Sequence, residues 1–310
     1  MILTITLNPA VDISYKLEQF SLDTVNRVGD VSKTAGGKGL NVARVLQQLG
    51  EVVAASGFLG GSLGDFIRSQ IGLLAIQDFF VGIAGETRNC IAIIHEGQQT
   101  ELLEAGPVIS NQEAAIFLEK FTGIVQQVDI VTISGSLPKG LPSDFYTKMV
   151  EIANEHDTRV LLDSNGALLT SIVKSENKPY LIKPNAEELA DLLGEKSLDE
   201  VQIRQALTSS LFADIPWVVV TLGADGAIIK YGDHLYRVTA PKVEAINPVG
   251  SGDSVVAGFA AGFSRGLIGE ELMKFGLSMG VLNAMEEKTG YIDVEKMAWV
   301  VEQMHVEKIG

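Results

Sequence analysis

The sequence predicts an α/β fold in which a largely parallel sheet is flanked by helices. Three observations carry that expectation. Strand-like and helix-like patterns alternate along most of the 310 residues, the usual sign of helices packed on a sheet. The strand candidates are short and almost wholly apolar, as in sheets buried on both faces. A hydrophobic share of 46% supplies a sizeable core, in one large α/β domain or two smaller ones.

Taken in order, residues 2–7 read as a strand. Residues 38–49 read as a helix, since Leu40, Ala43, Leu46 and Leu49 fall on one face. Residues 52–56, 130–133, 160–162, 180–182 and 217–221 are the buried apolar runs. Helices are expected over 111–127, 143–156 and 185–193. Residues 227–231 and 234–238, around Gly232-Asp233, form a β-hairpin. After Gly252 the pattern is helical almost to the end. Two stretches break this rhythm, 11–30 and 87–107, with polar alternation and, at Glu96-Gly97, a hairpin turn. Strands leaving the core sheet in this way build a lid or a dimer surface, or are ordinary edge strands.

The formal charge of −15 argues against nucleic acid or an anionic membrane as a partner. A lone Cys90 rules out an intrachain disulfide and fits a reducing cytoplasm. The first seven residues alternate without a basic n-region, unlike a signal peptide. The longest charge-free run, 52–64, is Gly-rich and shorter than the ~18 apolar residues of a membrane span. A soluble cytoplasmic protein is expected. His95, His156, His234 and His305 are scattered and give no metal-ligand spacing.

The most informative segment is Asn247-Pro-Val-Gly-Ser-Gly-Asp253, which runs into an apolar helical stretch. A helix N-terminus offers unpaired N–H groups and the positive end of its dipole, so it attracts anions. Gly250 and Gly252, flanking Ser251, have no Cβ to keep an anion away. Asp253 is then a carboxylate beside an anion site. That suits a base acting on a hydroxyl next to a bound phosphate; an Asp that merely complements the helix dipole is the alternative.

Ala35-Gly-Gly-Lys-Gly-Leu-Asn41 brings backbone amides and Lys38 to a helix entry. It is not a P-loop, because no Gly-Lys pair is followed by Ser or Thr. No G-x-G-x-x-G follows a predicted strand either, which weighs against a dinucleotide-binding dehydrogenase. A plain helix entry is the simpler reading. In Lys183-Pro-Asn-Ala-Glu-Glu188, Asn185 and Glu188 share the first turn of a helix. They suit an outer-sphere contact to hydrated Mg²⁺, a capping box, or both. Thr221-Leu-Gly-Ala-Asp-Gly226 follows a buried strand, where Gly223 and Gly226 admit a flat or phosphate-bearing ligand or simply turn the chain. Ser134-Gly-Ser-Leu-Pro-Lys-Gly140 has the same strand-to-loop position. Arg27 and Arg88 lie in the two interrupting stretches, as phosphate ligands or as surface charges.

Together these motifs resemble the PfkB-type carbohydrate kinases of the ribokinase-like fold. Gly36-Gly-Lys-Gly-Leu-Asn-Val-Ala43, extending to Gly60, matches the first family signature, and Asn247 to Gly258 matches the second. Asn8-Pro-Ala-Val-Asp12, Thr87-Arg88, Ser134 to Pro138, Lys183-Pro-Asn185 and Thr221-Leu-Gly223 extend the likeness over nearly the whole chain. Residues 87–93, 100–104 and 283–290 look most like the branch acting on tagatose 6-phosphate, with the 1-phosphofructokinase branch nearby. Leu103, where many of those relatives carry Asn, favours the former.

The resemblance implies a three-layer α/β/α core with a mostly parallel, nine-stranded sheet. It implies one kinase domain over 1–310, with a small β lid from about 11–30 and 87–107. The implied reaction passes a phosphoryl group from ATP, with Mg²⁺, to the 1-hydroxyl of tagatose 6-phosphate; the alternatives are 1- or 6-phosphofructokinase activity and, behind those, a non-catalytic sugar-phosphate sensor. In that scheme Asp253 is the base, and Gly250, Ser251 and Gly252 hold the transferred group. Asp12, Gly37, Lys38 and Asn41 contact the sugar, with Lys38, Arg88 and Arg27 near its phosphate. Lys183, Asn185, Thr221, Gly223, Gly226 and Asn283 line the nucleotide site, and Glu188 holds Mg²⁺ through water. The small-molecule partner is a sugar phosphate, and a homodimer through the lid is suggested.

Overall fold

A computed structural model describes residues 1–310. The chain enters through β1 (Ile2–Thr6), leaves the core as β2 (Ala10–Leu17) and β3 (Asp30–Gly36), and returns as α1 (Lys38–Gln48) and β4 (Val53–Leu59). Helix α2 (Gly61–Leu73) precedes two short strands, β5 (Gln77–Asp78) and β6 (Val81–Gly82), and the hairpin β7 (Arg88–His95) and β8 (Gln98–Leu103). Helices and strands then alternate: α3 (Asn111–Val125), β9 (Ile130–Ser134), α4 (Phe145–Glu155), β10 (Arg159–Asp163), α5 (Gly166–Lys174) and β11 (Leu181–Ile182). Two helices, α6 (Ala186–Leu193) and α7 (Glu200–Leu207), lead to β12 (Trp217–Thr221) and the hairpin β13 (Ala227–Tyr231) and β14 (His234–Thr239). The chain ends with α8 (Ser251–Ser264), α9 (Gly269–Ala284), α10 (Met297–Gln303) and β15 (His305–Lys308).

The main sheet runs β15-β14-β13-β12-β11-β10-β9-β1-β4-β5, with β6 also on β4. It is parallel from β12 to β6 and antiparallel only at β13–β15. Its eleven strands exceed the nine expected. The two-residue β5 and β6 lack any run long enough to register in sequence. Strand β15 corrects the expectation of helix to the end: its His-Val-Glu-Lys is too polar to read as a buried strand, and pairing with β14 decides it.

Period-two side chains split the apolar residues of each strand between two cores. Ile2, Leu161 and Val219 pack with Leu46, Phe259 and Met279 from α1, α8 and α9. Leu3, Val160 and Val218 pack instead with Phe117, Met149 and Leu189 from α3, α4 and α6. This is a three-layer α/β/α sandwich. No helix is long and apolar enough to cross a membrane.

The interrupting stretches form a separate four-stranded sheet, β3-β2-β7-β8. Of the first stretch only its start is strand; residues 18–29 carry no strand pairing, and β3 begins at Asp30. The β7–β8 turn has positive φ at both Glu96 (50°) and Gly97 (73°), which fits the right-handed twist of a tight hairpin. Strands β2 and β7 lie parallel, with Ala10 opposite Arg88 and Asp12 opposite Cys90. That register sets Asp12 and Arg88 side by side at the lid's root, above the main sheet.

Candidate active site

A single cleft of about 1440 Å³ opens between the lid and the carboxyl ends of the parallel strands. Thr6, Ser134, Asp163 and Thr221 each end a strand and line it, with Lys183 just past β11. Open α/β sheets bind ligands at this edge, where strand order reverses; here that is between β1 and β9. The volume exceeds the ~300–1,000 Å³ usual for one small ligand, so two substrates fit.

At the centre, Gly250 caps α8 with φ of 83°. A Cβ there would lie 2.5 Å from Thr289 Cγ2, so both the conformation and the packing call for glycine. The α8 amides of Gly252 and Asp253 belong to the first turn, which has no intrahelical acceptors. The amide of Ser251 is already given to the Pro248 carbonyl at 3.2 Å. A Cβ at Gly252 would sit 3.2 Å from Lys183 Nζ, so this glycine lets the lysine come close to the turn.

Asp253 is 5% exposed and accepts a 2.8 Å hydrogen bond on Oδ2 from Asn41 Nδ2. Burial, then the negative charge of Asp163, push its carboxyl up to about 7, against the pull of Lys38, Asn41 and Lys183. Asp163, 1% exposed, lies between two lysines: Lys38 Nζ at 3.4 Å from Oδ2 and Lys183 Nζ at 3.3 Å from Oδ1. Burial works against its ionisation, but Lys183 and Lys38 outweigh it and hold the carboxyl below the ordinary range. Burial likewise opposes charge on Lys38, yet Asp163, Asp253 and Glu188 raise it above its ordinary value. The base candidate thus sits beside Asp163 and the two lysines that Asp163 pairs with.

Toward the lid, a Cβ at Gly36 would lie 2.0 Å from Asp12 Cγ, so glycine makes room for that carboxylate. Burial lifts Asp12 to about 6, while Arg44 and Arg88 pull the other way. Arg88 donates to the carbonyls of Glu104 at 2.8 Å and Asn8 at 3.1 Å, and its buried Nε has no partner. The buried hydroxyls of Thr6, Ser134 and Ser164 and Oδ1 of Asn8 also lack partners. Buried polar atoms are usually satisfied, so this group marks a place built for a polar ligand.

On the other side, Asn185 and Glu188 form the capping box of α6: Asn185 Oδ1 accepts from the Glu188 amide at 2.8 Å, and Glu188 Oε2 accepts from the Asn185 amide at 2.9 Å. Glu188 Oε1 stays uncommitted at the cleft. Gly226, with φ of 98°, has no room for a Cβ, which would lie 2.1 Å from the Val238 carbonyl. The expected residues Gly37, Lys38, Asn41, Lys183, Thr221, Gly223 and Gly226 all line the cleft.

Two expected residues do not. Arg27 is exposed and outside the lining, because the β2–β3 register ends with Lys16 opposite Asp30 and carries residue 27 beyond the lid's far end. Asn283 is fully buried and its polar atoms are spent on the protein: Nδ2 donates to the Val249 carbonyl at 2.9 Å, and Oδ1 accepts from the Gly290 amide at 2.8 Å and Ser254 Oγ at 3.1 Å. It braces the anion turn from behind. Asp163 and Arg44 escaped the sequence reading. Each had a signal: a carboxylate ending an apolar strand run, and a guanidinium within the Val42–Leu46 stretch of an otherwise apolar helix core.

A family model described as pfkB family carbohydrate kinase matches residues 5–296. The chain is 50% identical over 307 residues to the tagatose-6-phosphate kinase of Staphylococcus epidermidis (strain ATCC 12228), covering 99% of both chains. Phosphofructokinase-2 from Escherichia coli, solved with substrates and products, is similar at TM-score 0.87 and 26% identity, over 97% of this chain and 98% of that one. The fructose-6-phosphate complex of the same enzyme gives TM-score 0.86 at 25% identity, over 97% and 98% of the two chains.

Proposed function

We propose that this chain, which belongs to the pfkB family of carbohydrate kinases, transfers the γ-phosphoryl group of ATP to the 1-hydroxyl of tagatose 6-phosphate. The observation that carries the reading is Asp253: a buried carboxylate, lifted to about 7, at the first turn of a helix capped by a left-handed glycine. Asp253 takes the proton of the attacking hydroxyl. The free amides of Gly252 and Asp253, presented by the turn of Gly250, Ser251 and Gly252, meet the charge on the transferred group, where preorganised donors act in a site shielded from water. Lys38 and Lys183, paired through Asp163, flank the same point from the sugar and nucleotide sides.

Asp12, Gly37, Lys38 and Asn41 are assigned to the sugar and Arg88 to its phosphate; Arg27 is dropped from the set within its own chain. Lys183, Asn185, Thr221, Gly223 and Gly226 are assigned to the nucleotide. The free Glu188 Oε1 suits a magnesium ion that keeps most of its water. Bound there, such an ion would supply positive charge to offset that of the phosphates. The tagatose-6-phosphate kinase at 50% identity supports this choice of sugar. Exposed Leu102 and Leu103 on β8 and Val31 on β3 support a homodimer through the lid.

An ADP-release assay with tagatose 6-phosphate, fructose 6-phosphate and fructose 1-phosphate tests the proposal. The highest kcat/KM is expected for tagatose 6-phosphate; a clear preference for fructose 1-phosphate would assign a 1-phosphofructokinase instead.

A further inference from the structure

Arg44 lies one turn along α1 from Asn41, is 6% exposed, and makes no ion pair. A buried guanidinium without a carboxylate partner is costly, and an apolar side chain would fill the same helix face at lower cost. What it does with its donors is specific. Nη1 donates to Asn41 Oδ1 at 3.0 Å and to the Thr289 carbonyl at 3.1 Å, and Nη2 donates to the Ala35 carbonyl at 2.6 Å. Its guanidinium also rests 5.5 Å from the centre of the Tyr291 ring.

We propose that Arg44 is a positioning residue for phosphoryl transfer, which orients Asp253 through Asn41 and ties that pair to the loop bracing the anion turn. The proposal rests on Asp253 as the base. An Asn side chain has one acceptor end and one donor end. Because Arg44 can only donate, it holds Asn41 Oδ1, and the Asn41 Nδ2 must face Asp253. Reversed, the amide would press an oxygen against the carboxylate. With Oδ2 held by Asn41, Oδ1 of Asp253 is the one left for the sugar hydroxyl.

The second arm acts on the loop. Gly290 has φ of 71°, and a Cβ there would lie 2.8 Å from Arg44 Nη1. The Gly290 amide holds Asn283, which holds the Val249 carbonyl, and Thr289 packs beneath Gly250. One guanidinium therefore joins the base, the sugar loop at Ala35 and the cradle of the transferred group.

The test is a cycle of Arg44→Met, Asn41→Ala and the double variant, with Arg44→Lys and Asp253→Asn alongside, each assayed for kcat, both KM values and thermal unfolding. Arg44→Met is expected to lower kcat by about tenfold or more while the KM for ATP stays within about twofold. Arg44→Lys, which keeps one donor, should fall between it and the parent. If Arg44 acts through Asn41, the double variant turns over no more slowly than Asn41→Ala, within about twofold. A parental kcat in folded Arg44→Met, with only a lower melting temperature, would make Arg44 a structural staple and overturn the inference; so would multiplicative losses in the double variant. Should Arg44→Met not fold, the same cycle built on Arg44→Lys decides by the same criteria. Near-parental turnover in Asp253→Asn would sink the base reading itself; an inactive Asp253→Asn beside a fully active Arg44→Met would sink only this one.

Discussion

Asp253 and Asp163 are two buried carboxylates driven in opposite directions by their neighbours. Asp163 has a lysine on each oxygen and stays ionised. Asp253 has one amide donor and the Asp163 charge nearby, so burial wins and its carboxyl sits at about 7. A base works only when deprotonated, so kcat/KM should fall as pH drops through about 7 and level off above it. A flat profile between pH values well below and above that point would remove Asp253 as the titrating base. Replacing it, Asp253→Asn, should cost roughly 10²–10⁴ in kcat, with ATP binding measured by calorimetry nearly unchanged. Asp163→Asn is a different loss. It leaves the buried Lys183 without its counter-charge and the more exposed Lys38 without its partner, and removing one member of a buried pair such as Lys183–Asp163 costs roughly 3–5 kcal/mol. Urea unfolding should show that drop; stability equal to the parent would mean that the lysines find another partner.

At the level of elements, the site depends on where strands stop and helices start. Gly36 is the last residue of β3, opposite Ala10 of β2, and its missing side chain is the space that the Asp12 carboxylate occupies. Gly36→Ala must push the two lid strands apart or turn Asp12 away. It should raise the KM for the sugar phosphate several-fold with little change in the KM for ATP, since the lid root and the nucleotide loops lie on opposite sides of Asp253. Equal rises in both would show that the lid root reaches the nucleotide. The α6 capping box has two roles, fixing the helix start and aiming Glu188 Oε1 into the cleft. Asn185→Ala should therefore cost about 1 kcal/mol of stability and also raise the magnesium concentration needed for half-maximal rate. A stability loss without the magnesium effect would reduce the pair to a cap.

For the whole molecule, activity and stability pull against each other at one position. The native carboxyl of Asp253 is raised far above its unfolded value, so the folded state binds the extra proton between the two. Below the unfolded pKa both states are protonated and the group contributes nothing. As pH climbs toward about 7 the folded state loses stability relative to the unfolded chain, because ionising a buried carboxylate is costly. Asp253→Asn should then melt higher than the parent at pH 8, with a smaller difference at pH 5, while being nearly inactive. A melting temperature at or below the parent's at pH 8 would show that Asn41 and the lysines fully compensate the charge. The overall charge of −15 adds to this strain. Two anionic substrates must enter against it, which the local cluster of Lys38, Lys183, Arg44 and Arg88 allows.

Much was settled by the chain's order alone. Alternating apolar runs determine an α/β sandwich, because a strand buried on both faces and a helix with one apolar face have few other ways to pack. The glycines before Asp253 and around Lys38 mark backbone that must approach an anion, and these are local properties that a sequence displays. Tertiary structure decided the rest, because it depends on pairs far apart in the chain. Asp163 gained its role from lysines 125 and 20 residues away, and Asn283 lies outside the cleft lining because the anion turn packs over it. Arg27 left the cleft because strand register set the lid's length. Charge partners and register are products of folding, and no stretch of sequence records them.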